Sequence, residues 1–232
     1  MKKKKNVIYF PQNIHGGQIM KKEILKLAVN SLLAGIFIGM AGTVYLSSSN
    51  PVTGAFLFGF GLLTIVCYGF KLYTGAIGYL MVQGKDFFKY LFDLLIIWLG
   101  NLAGCFLVGK AISLSRVSDK VVPKAARLCD IKMADSPASL FILAVFCGIL
   151  MFLAVESFRR KEQLHAIVRT VLLFLCVAIF ILSGFEHCIA NMYYFSVAGK
   201  WSTAAMLNIL LMTAGNSAGG FLLPLLADVK KP

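Results

Sequence analysis

Charged residues are scarce in this chain, and acidic residues are the scarcest of them. Asp, Glu, Lys and Arg make up only 14% of the 232 residues, with 10 acidic against 23 basic side chains. Soluble domains carry about 25% charged residues, so this composition excludes an ordinary water-soluble domain. Since 59% of the residues are hydrophobic, we expect an integral membrane protein.

Residues that bind metals or form disulfides are also few. The chain has 3 histidines and 6 cysteines, and no two of the cysteines form a Cys-x-x-Cys pair. The cysteines are therefore interpreted as small buried apolar side chains. No metal site and no cofactor are expected, and a membrane enzyme or redox subunit that holds a metal or a haem is a disfavoured alternative.

The formal net charge of +13 does not indicate nucleic-acid binding, because the basic residues lie between long apolar runs. Their expected partner is the headgroup layer of a lipid bilayer. Residues 1–26 contain a basic run but neither an apolar core nor a small-residue cleavage site. We expect them to form a cytoplasmic segment rather than a cleaved signal peptide.

Six apolar runs are long enough to cross a bilayer, whose hydrocarbon core of about 30 Å needs about 20 helical residues. They are residues 27–47, 54–82, 90–109, 136–157, 170–198 and 203–227. An even number of spans places both termini on one side, and the larger share of lysines and arginines predicts that this side is the cytoplasm. The expected location is the inner (plasma) membrane of the cell.

Two of these runs are longer than a simple span, and each has a glycine next to polar or charged residues at its middle. The sequences are GFKLYTGA at 69–76 and SGFEHCIAN at 183–191. Helices of such length must tilt strongly or break. Freed backbone groups are tolerated at membrane depth only inside protein or beside a water-filled cavity, so breaks here would mark a polar site.

The pattern Gly-Asn-x-Ala-Gly occurs twice, at 100–104 and at 215–219, each time after one of the expected breaks. Its glycines allow close approach of helices, and its asparagine amide can cap freed backbone groups. The duplication predicts two three-span repeats. With an odd number of spans, the second repeat enters the membrane inverted relative to the first.

The expected fold is an all-α membrane protein with an aquaporin-like protomer, in which helices two and five are broken. Residues 27–228 form the transmembrane channel domain, and 1–26 and 228–232 form the cytoplasmic N-terminal segment and tail. Within the channel domain, the first repeat is 27–109 and the second is 136–227, with a basic linker at 110–135.

Three motifs together resemble the formate/nitrite transporter family. They are the sequence LYTG at 72–75, the two Gly-Asn-x-Ala-Gly motifs, and FEHCIANM at 185–192. The resemblance covers residues 25–228 with the same spacing of six spans. It implies a pentameric channel for small monovalent anions, in which each protomer holds its own pore.

The resemblance implies roles for particular residues. His187 corresponds to the central pore histidine, Thr74 to a hydroxyl that faces it, and Asn191 to a further pore residue. The apolar residues that narrow the pore correspond to Phe58, Leu62, Leu72, Tyr73 and Phe180. Lys132 corresponds to a basic residue of the outer vestibule. Asn101, Gly104, Asn216 and Gly219 of the repeated motif are expected to act structurally.

Two charged residues beside the breaks need separate interpretations. Neighbouring residues of a helix point about 100° apart, so Glu186 and His187 cannot both face one narrow pore if this stretch is helical. Glu186 is interpreted as a structural acceptor for the broken backbone or a neighbouring protomer. Lys71 could extend towards the membrane surface, pair with Glu186 or line the pore.

The expected function is passage of small weak-acid anions, with formate or nitrite first and hydrosulfide, acetate or lactate as alternatives. A bare anion pays a large desolvation cost in an apolar constriction. His187 can lower this cost by donating a proton, since imidazole titrates near neutrality. Alternatively the anion stays charged and His187 is a fixed hydrogen-bond donor. Both mechanisms remain open from the sequence.

Departures from the family pattern affect ion preference and gating. Gly148 stands where many members have an asparagine after the cysteine, Lys71 stands where many have an acidic residue, and Tyr73 stands where most have phenylalanine. The remaining alternative is a neutral-solute pore of the aquaporin type. That fold typically carries Asn-Pro-Ala motifs, and this sequence contains none.

Overall fold

The computed structural model describes residues 17–160 and 162–227, with side chains from residue 21 onward. In these ranges all regular structure is helical. The α-helices are α1 Gly17–Ser47, α2 Pro51–Tyr68, α3 Tyr73–Ala76, α4 Phe87–Ser113, α5 Ser118–Ala134, α6 Pro137–Arg159, α7 Ala166–Leu182, α8 Cys188–Ala198 and α9 Thr203–Leu226. Two short 3-10 helices, Ile77–Val82 and Gly84–Asp86, connect α3 to α4. The tail predicted for 228–232 and most of the predicted N-terminal segment lie outside the described residues.

Among the described residues, five helices are long and apolar enough to cross a membrane: α1, α2, α4, α6 and α9. Two further apolar helical segments, Tyr73–Val82 and Ala166–Leu182, are shorter. The chain is therefore an all-helical, multi-pass membrane protein. Helix α1 begins at Gly17, ahead of the first predicted span at 27.

The first predicted break follows α2. Asn50 caps the start of α2, with its side-chain oxygen accepting from the N–H groups of Val52 and Thr53. The helix ends at Gly69, which has a φ of 73°. Glycine adopts this left-handed conformation without steric cost, so it stops the helix without strain. Leu72 is extended, and the chain becomes helical again at Tyr73.

The second break has the same design. Helix α7 ends at Leu182, and Gly184 has a φ of 69°. His187 is extended and is the N-cap of α8. Because both breaks depend on a glycine in a left-handed conformation, their positions follow from the local sequence.

The basic stretch predicted as a linker at 110–135 is largely helical. Helix α4 continues to Ser113, and α5 occupies Ser118–Ala134. Along α5, Val121, Ala125 and Cys129 are buried at a helical spacing while most of its charged residues are exposed. This amphipathic pattern lets a charged segment fold against the protein. The prediction of a linker was based on the charged residues and did not use the helical spacing of the buried ones.

Glycines bring the long helices together in two equivalent pairs. A Cβ atom on Gly35 of α1 would overlap the carbonyl oxygen of Asn101 in α4. A Cβ atom on Gly148 of α6 would overlap the carbonyl oxygen of Asn216 in α9 in the same way. Any larger residue at either position would push the two helices apart. Gly148 therefore has a packing role.

Candidate functional site

The two breaks meet at His187 and Thr74. The Thr74 Oγ1 atom lies 2.9 Å from His187 Nε2, and the two residues are 113 positions apart in the chain. Both side chains are buried, with His187 only 2% exposed and Thr74 not exposed. The structure thus brings together the two polar residues that the sequence singled out, one from each interrupted helix.

Hydrogen bonds define which nitrogen of His187 carries the proton. Its Nδ1 atom accepts from the backbone N–H of Ala190 at 3.0 Å, which caps α8. An imidazole nitrogen that accepts a hydrogen bond carries no proton. The neutral ring is therefore protonated at Nε2 and donates to Thr74 Oγ1. The hydroxyl hydrogen of Thr74 points elsewhere and can serve a further acceptor.

Asn101 holds the segment that carries Thr74. Its Oδ1 atom accepts from the backbone N–H of Tyr73 at 2.9 Å. Its Nδ2 atom donates to the carbonyl oxygens of Lys71 and Ser31, both at 2.8 Å. One buried amide therefore satisfies three backbone groups, two of which the first break leaves without helical partners.

Asn216 repeats this arrangement at the second break. Its Oδ1 atom accepts from the N–H of Cys188 at 2.9 Å, and its Nδ2 atom donates to Glu186 O at 2.8 Å and Ala144 O at 2.7 Å. The contacts to the break span 28 and 30 residues, as they do for Asn101. The duplicated motif thus has the same hydrogen-bonding function in both halves of the chain.

Aromatic rings lie on one side of the histidine. The Phe180 ring stacks on the His187 imidazole with centroids 5.5 Å apart, and Phe58 meets Phe180 edge to face at 5.9 Å. Leu62 and Leu72 are buried as well. The apolar residues expected to narrow a pore are thus buried, and one of them, Phe180, lies directly against His187.

Glu186 points away from His187 into a buried ion pair. Its Oε1 atom lies 2.9 Å from Lys132 Nζ, and its Oε2 atom accepts from Asn191 Nδ2 at 2.7 Å. The side chains of Lys132 and Glu186 are only 10% and 6% exposed. Lys132 is therefore an ion-pair partner of Glu186, and its charge is largely shielded from solvent. The three alternatives for Lys71 stay predictions.

Asn191 joins this ion pair to the histidine segment. Its Nδ2 atom also donates to the backbone oxygen of His187 at 3.1 Å. Its Oδ1 atom is buried and has no hydrogen-bond partner among the described residues. A buried acceptor without a partner is costly unless a solvent or ligand hydrogen reaches it.

The sequence reasoning missed a hydroxyl pair beside the site. The Tyr73 hydroxyl lies 3.0 Å from Ser217 Oγ, which is the variable residue of the second Gly-Asn-x-Ala-Gly motif. The first motif has Leu102 at that position. Only the second copy of the motif has a polar residue at this position, and the LYTG sequence contains a tyrosine. These two features could have indicated the hydroxyl pair.

Comparison with known proteins identifies the family of this chain. The family model described as formate/nitrite transporter matches residues 13–229. The chain is 29% identical to the nitrite transporter NirC of Escherichia coli (strain K12), over 83% of this chain and 78% of that protein. It is 28% identical to the formate channel FocB of the same organism, over 70% of this chain and 63% of that protein.

The fold also matches a solved structure, a pentameric formate channel with formate bound. The TM-score is 0.74 at 22% identity, covering 88% of this chain and 95% of that chain. At this identity the match establishes the fold. The family model covers nearly the whole chain, so the protein belongs to the formate/nitrite transporter family, and the resemblance stated from the motifs is confirmed.

Proposed function

We propose that this protein is a channel for small monovalent weak-acid anions, with formate or nitrite as its first substrates. The observation that carries the proposal is the buried Thr74–His187 contact in the gap between the two interrupted helices. Membership of a family of anion transporters and channels supports it, as do the relatives NirC and FocB. Hydrosulfide, acetate and lactate are the alternative substrates.

The Thr74 hydroxyl, oriented by the Nε2–H of His187, is proposed to donate a hydrogen bond to the anion. The Nε2–H of His187 donates to Thr74, which leaves the Thr74 hydroxyl hydrogen for an acceptor in the pore. The positive end of the α8 helix dipole lies at His187 and also favours negative charge there. Together these groups replace part of the hydration that an anion loses on passing the apolar residues next to His187.

Of the two mechanisms left open by the sequence, the fixed donor is favoured. To donate a proton as an acid, His187 would first have to be protonated at Nδ1. That nitrogen accepts from the Ala190 N–H, so its protonation would break the cap of α8. We therefore propose that His187 stays neutral and that any proton crossing with the anion comes from solution. The unpaired Oδ1 of Asn191 is a proposed acceptor for a water molecule or for the O–H of the neutral acid.

The remaining parts of the proposal concern architecture. The matched contacts of Asn101 and Asn216 support two repeats related by inversion in the membrane. Homopentamer formation is proposed from the solved formate channel, which is described as pentameric. Both termini are proposed to be cytoplasmic in the inner membrane, since basic residues are concentrated on that side.

A flux panel in proteoliposomes tests the function. Formate, nitrite, hydrosulfide, acetate and chloride would be compared at two pH values, with chloride as the control because it is the anion of a strong acid. Formate or nitrite flux well above chloride flux is the expected result. Equal passage of chloride, or passage of water and glycerol without anions, would contradict the proposal.

A further inference from the structure

Tyr73 is tied to α9 by a directed hydrogen bond. The Ser217 hydroxyl donates to the carbonyl oxygen of Thr213 at 2.6 Å. Its single hydrogen is thereby used, so in the 3.0 Å contact the Tyr73 hydroxyl must donate to Ser217 Oγ. The phenylalanine that most family members have at this position could not form this bond.

The segment that Tyr73 begins cannot hold its own orientation. Helix α3, Tyr73–Ala76, continues directly into the 3-10 helix Ile77–Val82, and a helical segment of this total length is marginal without external contacts. Its N-terminal N–H is held by Asn101 at 2.9 Å, and its last carbonyl accepts from the Tyr90 hydroxyl at 2.8 Å. The Tyr73 hydroxyl adds a side-chain hydrogen bond from α3 to α9.

The two halves of the site differ in how the start of each helix is held. In the second half, the His187 side chain caps α8 by accepting from the Ala190 N–H. In the first half, Leu72 precedes α3 without a side-chain cap. Rotation of α3 would move Thr74, because the two side chains belong to neighbouring residues of the same short helix. Thr74 is therefore the partner whose position depends most on outside contacts.

We propose that Tyr73 is a positioning residue: its hydroxyl bond to Ser217 fixes α3 so that the Thr74 hydroxyl stays on His187. In this role Tyr73 acts on the permeating anion through Thr74. The proposal rests on the proposed function only in the flux experiment, which requires that the protein transports anions. The loss of one hydrogen bond of this type corresponds to a roughly fivefold change in the equilibrium between the positions of α3 with and without the Thr74–His187 contact.

Two single-atom variants test the bond. Tyr73→Phe removes only the donor oxygen, and Ser217→Ala removes only the acceptor. Each is expected to change the formate-to-chloride flux ratio by roughly fivefold, in line with one lost hydrogen bond. In a Thr74→Ala background, Tyr73→Phe is expected to change nothing further, since the group that it positions is gone. Tyr68→Phe is the matched control, because Tyr68 is exposed and its hydroxyl has no partner among the described residues.

An additive effect of Tyr73→Phe in the Thr74→Ala background would overturn the proposal, as would an unchanged flux ratio in the single variant. The ¹⁵N chemical shift of His187 Nε2 gives a readout that needs no transport. It should move in Tyr73→Phe and stay constant in Tyr68→Phe. A protein that carries no formate but shows this shift would refute the proposed function alone. A constant shift in Tyr73→Phe would refute the positioning role alone.

Discussion

Replacing Lys132 by methionine is expected to destabilise the folded protein strongly, because the Glu186 carboxylate would stay buried without its cation. The two side chains are 2.9 Å apart and only 10% and 6% exposed. Removing one partner of a buried ion pair costs about 3–5 kcal/mol. An ion pair at the surface contributes about 0–1 kcal/mol. The loss of stability in Lys132→Met therefore distinguishes a buried ion pair from a solvent-exposed charge.

The assay is thermal unfolding in detergent, followed by the fluorescence of the 2 tryptophans. For a chain of this size, 1 kcal/mol shifts the midpoint by about 2–4 °C, so Lys132→Met should lower it by roughly 6–20 °C. Adding Glu186→Gln removes the uncompensated charge and keeps an oxygen that can accept from Asn191 Nδ2. The double variant is therefore expected to recover most of the lost stability.

Lys200→Met is the matched control. Lys200 pairs with Asp130, and these side chains are 37% and 63% exposed. Its removal is expected to cost less than about 1 kcal/mol. The reasoning would be refuted if Lys132→Met unfolded at the wild-type temperature, or if the double variant were as unstable as the single one.

Three further predictions concern the site and its supports. His187→Asn should abolish the preference for formate over chloride in proteoliposome flux, and unchanged preference would exclude a role for the imidazole in selectivity. Asn101→Ala and Asn216→Ala should each destabilise the protein by several kcal/mol, because each backbone group left unpaired costs about 1–3 kcal/mol. The two variants should lose similar amounts of stability, and a large difference between their unfolding temperatures would contradict equivalent roles. Gly148→Ala should prevent close packing of α6 and α9 and reduce the yield of folded protein on size-exclusion chromatography, whereas a normal elution profile would show that the helices can separate without loss.

The breaks in the helices could be predicted from the sequence because their cause is local. Gly69 and Gly184 have left-handed φ values of 73° and 69°, which other residues rarely adopt. Each glycine lies inside an apolar run too long for one span. The duplicated Gly-Asn-x-Ala-Gly motif similarly indicated which asparagines support the breaks, since the spacing within each half is regular.

Other features of the site escaped local reasoning. The sequence predicted a linker where α5 lies, because charge density concealed its amphipathic spacing. It assigned Lys132 to the outer vestibule and did not anticipate its buried ion pair with Glu186. It treated Tyr73 as a pore-narrowing ring and did not anticipate its bond to Ser217. The pore roles of the predicted residues stay predictions that the flux experiments address.

The sequence by itself determined that this chain crosses a membrane, where two of its helices break, and which family it belongs to. These properties depend on apolar length, on glycine conformation and on short motifs, all of which are local. Only the tertiary structure decided that Thr74 accepts a hydrogen bond from His187, and that Lys132 neutralises Glu186. The partners are 113 and 54 residues apart, and their pairing depends on how the helices pack. No local pattern encodes such packing, because each buried polar group is satisfied by whichever side chain the fold brings next to it.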